Sequence, residues 1–179
     1  EFLHVFGVGH LQDVDRAASF GHGRLDPDGD LLVLCQSVEH GEVEGEILDA
    51  GCGTGAAMAA CLPRYGQVTG CDFSILALRY CHERAINQIA QASVTALPFP
   101  SGSFDLVTSF DVLYERGVDS PAAALAEFKR ILRPAGKLLL RLPAYDWLRG
   151  QHDQAVHTGR RFDVHSLSRL LHESGLRLL

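Results

Sequence analysis

No apolar run in the chain approaches the roughly 20 residues that a membrane-spanning helix needs, and the sequence therefore offers no transmembrane segment. Positive charge is scarce too. The formal net charge is −6 and no basic stripe stands out, which argues against general nucleic-acid binding because phosphates would go unneutralised. Lys129, Arg130 and Arg133 do fall on one predicted helix, where a solvated face accounts for them. The five cysteines, Cys35, Cys52, Cys61, Cys71 and Cys81, include no C-x-x-C pair and no zinc-ligand spacing, so no metal site is expected from them. Their odd number, in a chain that shows no signal peptide, points to reduced thiols and a cytoplasmic location. Internal repeats and low-complexity tracts are absent as well.

What is present suits one globular domain. The 179 residues are 46% hydrophobic and 21% charged, enough to bury a sizeable core. From Glu46 onward short apolar runs alternate with amphipathic stretches, a pattern that predicts a parallel sheet with helices on both faces. Strands are expected near 46–50, 67–72, 89–95, 104–110 and 136–142, with a last one beginning near 176. Helices are expected near 54–62, 74–86, 120–132 and 163–174. Asp119-Ser120-Pro121 is a helix start and Pro134-Ala135-Gly136 a stop. Residues 1–44 are different. They carry Gly, His and Asp in loose clusters around one apolar patch, L-L-V-L-C at 31–35, for which a helix over about 28–39 is expected.

The most informative segment is I-L-D-A-G-C-G-T-G at 47–55, a buried strand ending in Asp49 and turning through Gly51, Gly53 and Gly55 into an Ala-rich helix. Glycine permits φ > 0 and lets a ligand approach without a Cβ in the way, so the turn is built to hold a nucleotide-like cofactor. The same letters satisfy the dinucleotide pattern G-x-G-x-x-[GA], and Asp72 could hold a ribose in either case. Asp49 weighs against a pyrophosphate, which it would repel, and in favour of a cofactor carrying an ammonium and a sulfonium.

Together with V-T-G-C-D-F-S at 68–74, A-L-P-F-P-S-G-S-F-D-L-V-T-S-F-D-V-L at 96–113 and E-F-K-R-I-L-R-P-A-G-K-L-L-L at 127–140, this segment resembles the class I S-adenosylmethionine-dependent methyltransferases. The resemblance covers about residues 45–179 and is closest to the type 11 members found in bacteria. It implies a Rossmann-like, doubly wound α/β fold with a mostly parallel sheet, preceded by a variable N-terminal cap over residues 1–44. The chain starts Glu1-Phe2, has Met58 as its only methionine and stops at Leu179. A fragment lacking the last strands of the family's sheet is therefore expected.

The resemblance also distributes roles. Asp49, Gly51, Cys52, Gly53 and Gly55 would line the cofactor, with Cys52 filling space rather than acting as a nucleophile. Asp72 would accept the ribose hydroxyls, a helix-capping acid being the plainer alternative. Phe73 would lie against adenine unless it is an ordinary buried aromatic. Ser93 stands where the family commonly has Asp, so adenine would be met by one hydroxyl and the Val94 backbone, weakening rather than abolishing binding. Phe110, Asp111 and Val112 would flank the methionine end, while Asp105 reads as structural. Glu115 is a candidate for orienting or deprotonating an acceptor, or else a solvated loop acid. The loop at 142–163 gathers His152, Asp153, His157, Arg160 and Arg161. There His152 or His157 could serve as a base, or the same residues could simply stabilise the loop. Its H-D-x-x-x-H spacing lacks a third metal ligand.

The reading that follows is an S-adenosylmethionine-dependent methyltransferase acting on a small-molecule acceptor, with no metal, nucleic-acid or membrane partner. The sequence leaves the oligomeric state open. A module that binds S-adenosylmethionine without catalysis, or an inactive fragment, is the alternative, and an NAD-dependent oxidoreductase is a more distant one.

Overall fold

The computed structural model describes residues 24–25, 30–36, 45–115, 117–143 and 160–178. Its strands are β1 (Arg24–Leu25), β2 (Asp30–Gln36), β3 (Gly45–Ala50), β4 (Gly66–Asp72), β5 (Ile89–Gln91), β6 (Phe104–Phe110), β7 (Leu132–Pro143) and β8 (Arg177–Leu178). The helices are α1 (Ala56–Ala60), α2 (Ile75–Glu83), α3 (Pro121–Ile131) and α4 (Val164–Glu173), and a 3-10 turn covers Leu62–Arg64.

All described strands form one sheet in the order β1-β2-β7-β6-β3-β4-β5, with β8 also pairing β2. The pairs β6/β7, β3/β6, β3/β4 and β4/β5 are parallel. From β3 the chain winds outward through β4 and β5, then returns to lay β6 on the other side of β3. The order therefore reverses between β3 and β6, the place where sheets of this kind bind ligands, beyond the carboxyl ends of the strands. This is the doubly wound α/β architecture expected.

Both faces of the sheet are covered, as runs of buried apolar residues in parallel strands require. Leu48, Val107, Leu138 and Leu140 pack with Leu125, Phe128 and Ile131 of α3 and with Leu167 and Leu171 of α4. On the other face Met58 of α1 packs with Leu78 and Cys81 of α2, against Val68 and Ile89. Local signals set the helix starts. The Ser120 hydroxyl accepts from the Ala123 N–H at 3.1 Å ahead of Pro121, and Asp163 forms a capping box with Ser166.

Three expectations are corrected. Residues 30–36 form a strand, not part of a helix over 28–39, and they pair antiparallel with β7 from Asp30↔Pro143 to Gln36↔Lys137. A short apolar run reads equally as helix or strand, and the open edge of β7 decides between them. β5 stops at Gln91 instead of reaching 95, because the Ser93 hydroxyl accepts from the Thr95 N–H and turns the chain into a Ser93↔Ala96 bridge. β7 begins at Leu132 rather than 136. Leu132 pairs with Phe104, the ladder breaks around Ala135 at φ +67°, and pairing resumes at Lys137. Among the described residues no helix is long and apolar enough to cross a membrane.

Candidate functional site

The loop after β3 is held to β4 by the Gly51 and Cys52 N–H groups, which both donate to the Cys71 carbonyl at 2.8 and 2.9 Å. Its glycines serve different needs. At Gly51, φ is +82° and a Cβ would sit 2.2 Å from a Val112 methyl, so packing forbids any side chain. At Gly53, φ is +54° and a Cβ would meet nothing within 4 Å, so this position borders open space. Gly55 precedes α1 with Ile86 packed against it. Cys52 is buried beneath the loop with Met58, Leu78 and Cys81, and burial pushes its thiol pKa up, the opposite of what a nucleophile needs.

Two carboxylates flank this loop. Asp49, at the end of β3, is only 2% exposed and accepts a hydrogen bond from the Thr108 hydroxyl at 2.8 Å. Desolvation raises its pKa from 3.8 to about 6; the Thr108 bond opposes the rise and the neighbouring Asp72 charge adds to it. Asp72 ends β4. Its Oδ2 accepts from the Gly53 N–H and its Oδ1 from the Ser74 N–H, each at 2.8 Å. It thus pins the glycine loop to the start of α2, where Ser74 is the N-cap, and each oxygen keeps a lone pair for a further donor. Two carboxylates on adjacent strand ends repel a pyrophosphate and suit a ligand with cationic and hydroxyl groups.

Phe73 is 78% exposed, so the buried-aromatic alternative fails. The Gln91 side-chain amide holds its carbonyl at 3.1 Å. Ser93 lies 2.8 Å from the Thr95 hydroxyl, within the turn that ends β5, and the neighbouring Val94 is buried. These residues follow β4 and β5 at the same edge of the sheet as the glycine loop.

On the other side of the loop, Phe110 packs beside the cluster of Ile47, Leu106 and Leu139, with the Arg141 guanidinium 5.8 Å from its ring centroid. Asp111 adopts φ +62° and its carboxylate is paired with Arg141, whose carbonyl accepts the Asp111 N–H at 3.0 Å. Glu115 is exposed, four residues beyond Asp111, in a turn where its N–H donates to the Val112 carbonyl at 3.0 Å. Asp105 sits at the opposite end of β6, accepting from the Glu46 N–H at 2.9 Å and pairing with Arg133. His152, Asp153 and His157 lie outside the described residues. Arg160 donates to the Val118 carbonyl at 3.2 Å.

Sequence reasoning missed Thr108 and Arg141. Thr108 faces Asp49 only through strand register, which no local pattern encodes. Arg141 did carry a signal, being a charge in the apolar run L-L-L-R-L at 138–142.

Residues 48–140 match the methyltransferase domain family. A malonyl-[acyl-carrier protein] O-methyltransferase of Laribacter hongkongensis is 31% identical over 149 residues, covering 72% of this chain and 50% of that protein. A demethylmenaquinone methyltransferase of Renibacterium salmoninarum is 39% identical over 104 residues, covering 56% of this chain and 42% of that protein. The chain thus spans about half the length of the curated relatives it matches. Among solved structures, the complex of the Haloferax volcanii Trm112 methyltransferase activator with a methyltransferase superposes with a TM-score of 0.67 at 21% identity, covering 94% of this chain and 69% of that one. At that identity the likeness speaks for the fold alone.

Proposed function

The chain belongs to the class I S-adenosylmethionine-dependent methyltransferase family, and on that footing we propose that it binds S-adenosylmethionine beside Gly53 and supports transfer of its methyl group to a small-molecule acceptor. The observation that carries this reading is the pair of carboxylates, Asp49 and Asp72, flanking a loop whose middle glycine borders open space. Asp49 is the partner for a cationic amino-acid group, and Asp72, through the lone pairs its backbone donors leave free, for the ribose hydroxyls. Phe73 is assigned to a face of the adenine ring, and Ser93 with the Val94 backbone to its edge.

The cofactor supplies a methyl group on a positively charged sulfur, a leaving group already activated by its charge. The protein's own share is then alignment of the acceptor and exclusion of water. Phe110, Asp111 and Val112 border the methionine end, and the Arg141 pair holds the Asp111 carboxylate in one orientation. Glu115, His152 and His157 are assigned to orienting the acceptor and taking its proton. The relatives are named for acceptors as unlike as a malonyl-[acyl-carrier protein] and a demethylmenaquinone, so the acceptor is left at the level of a small molecule or carrier-borne group.

Calorimetric titration with S-adenosylmethionine, S-adenosylhomocysteine and NAD tests the reading. Binding of the first two, weakened at least tenfold by Asp72→Ala, is the expected result; about two hydrogen bonds to ribose are lost. Binding of NAD alone would overturn it. Methyl transfer to any acceptor would in turn rule out the alternative of a module that binds without catalysis.

A further inference from the structure

Two stretches of the chain that lie 30 residues apart form one hydrogen-bonded unit. The Glu127 Oε2 accepts the Leu97 N–H at 2.8 Å, while Arg130 donates to the Leu97 carbonyl at 3.0 Å and the Phe99 carbonyl at 2.7 Å. Arg130 is itself fixed by a two-point contact with Glu127, at 2.7 and 2.8 Å, which holds the Glu127 carboxyl below its ordinary range. The backbone adds to this. The Arg130 and Ile131 carbonyls accept the Gly102 and Ser103 N–H groups at 3.0 and 2.8 Å.

What the clamp holds is a stretch with little ladder of its own. After β5 ends at Gln91, the only pairing before β6 among the described residues is the single Ser93↔Ala96 bridge. The start of this stretch is tied by the Ala92 N–H to the Asp72 carbonyl at 3.1 Å, and its far end by Glu127 and Arg130. The pair is partly exposed, with the Arg130 side chain 34% and the Glu127 side chain 21% accessible, so it adds little to global stability. Its effect is local: it ties Leu97 and Phe99, which follow directly on the Ser93–Ala96 turn, to α3.

We propose that Glu127 and Arg130 are positioning residues for the nucleobase, setting the turn at 93–97 so that the site selects a purine bearing a 6-amino group over one bearing a 6-oxo group. This rests on the reading that Ser93 and Val94 meet the adenine edge. A 6-amino purine has an accepting N1 and a 6-oxo purine a donating N1–H; the Ser93 hydroxyl can meet either base, so discrimination depends on the Val94 backbone N–H held in place to donate to N1, and backbone drift of an ångström removes it.

The test compares S-adenosylhomocysteine with S-inosylhomocysteine by calorimetry, on the unchanged chain, Arg130→Gln and Arg130→Lys, with amide exchange at Leu97 read alongside. The unchanged chain is expected to prefer the adenosyl compound. Arg130→Gln is expected to weaken adenosyl binding by about tenfold, to weaken inosyl binding less, and to speed Leu97 exchange. Arg130→Lys should recover part of the preference. Equal loss for both compounds, or an unaltered preference with faster exchange at Leu97, would make the clamp purely structural and overturn the inference. Failure of the unchanged chain to bind either compound would instead overturn the cofactor reading, and this assignment with it.

Discussion

At Asp49 the cost of a buried charge can be put on a scale. Its carboxyl is raised from 3.8 to about 6 by burial, so between about pH 4 and 6 the unfolded chain releases this proton while the folded chain keeps it. The stability contributed by the protonated group is full below the lower value and is lost as pH rises through the upper one, by about 3 kcal/mol at most. Asp49→Asn removes that loss. In urea unfolding without ligand, the stability difference between the variant and the unchanged chain is expected to grow from pH 4 to pH 7 by up to this amount, in favour of Asn. A difference independent of pH would show that Asp49 titrates normally. Binding of a cationic ligand should follow the opposite course. Affinity of the unchanged chain for S-adenosylmethionine is expected to rise as pH increases through about 6 and then level off, whereas Asp49→Asn binds weakly at every pH. A flat profile for the unchanged chain would separate Asp49 from the ligand's ammonium.

At the scale of elements, the glycine loop separates folding from binding. Gly51→Ala drives a methyl into Val112, at a distance of 2.2 Å, and is expected to lower the thermal midpoint by several degrees through overpacking and a strained backbone. Gly53→Ala has open space and pays only the left-handed backbone cost of about 1 kcal/mol. Its added methyl nevertheless enters the space assigned to the cofactor. The expected result is a folded protein with cofactor affinity reduced at least tenfold, measured by calorimetry beside a melting curve. Unchanged affinity would move the cofactor away from Gly53. The start of the loop and its three glycines were legible in the sequence because backbone conformation is a local property. That Gly51 answers to Val112 and Gly53 to open space was not, since it depends on which residues 60 positions away fold over the turn.

For the whole molecule, the unexpected feature is β2 lying antiparallel along β7 over seven register pairs. Without it the edge of β7 would expose unpaired backbone groups beside Leu138, Leu140 and Leu142, all buried in the fold. Removal of residues 1–37 is expected to lower the thermal midpoint and promote self-association, seen by size-exclusion chromatography. A truncated chain that stays monomeric and equally stable would show β2 to be dispensable.

What the sequence determined by itself were the features encoded within a few residues: glycine spacing, the Ser120 helix start, the run of apolar strands and the two acids at strand ends. These follow from dihedral freedom, local hydrogen bonds and periodicity, which act over one turn or one strand. The tertiary structure alone decided that Thr108 meets the buried Asp49, that Arg141 takes the Asp111 carboxylate, that Glu127 and Arg130 grip the Leu97 turn, and that an apolar run at 30–36 becomes a strand. Each of those is a contact between distant segments, set by strand register and by which edge of the sheet stands open, and neither is written into the neighbourhood of any one residue.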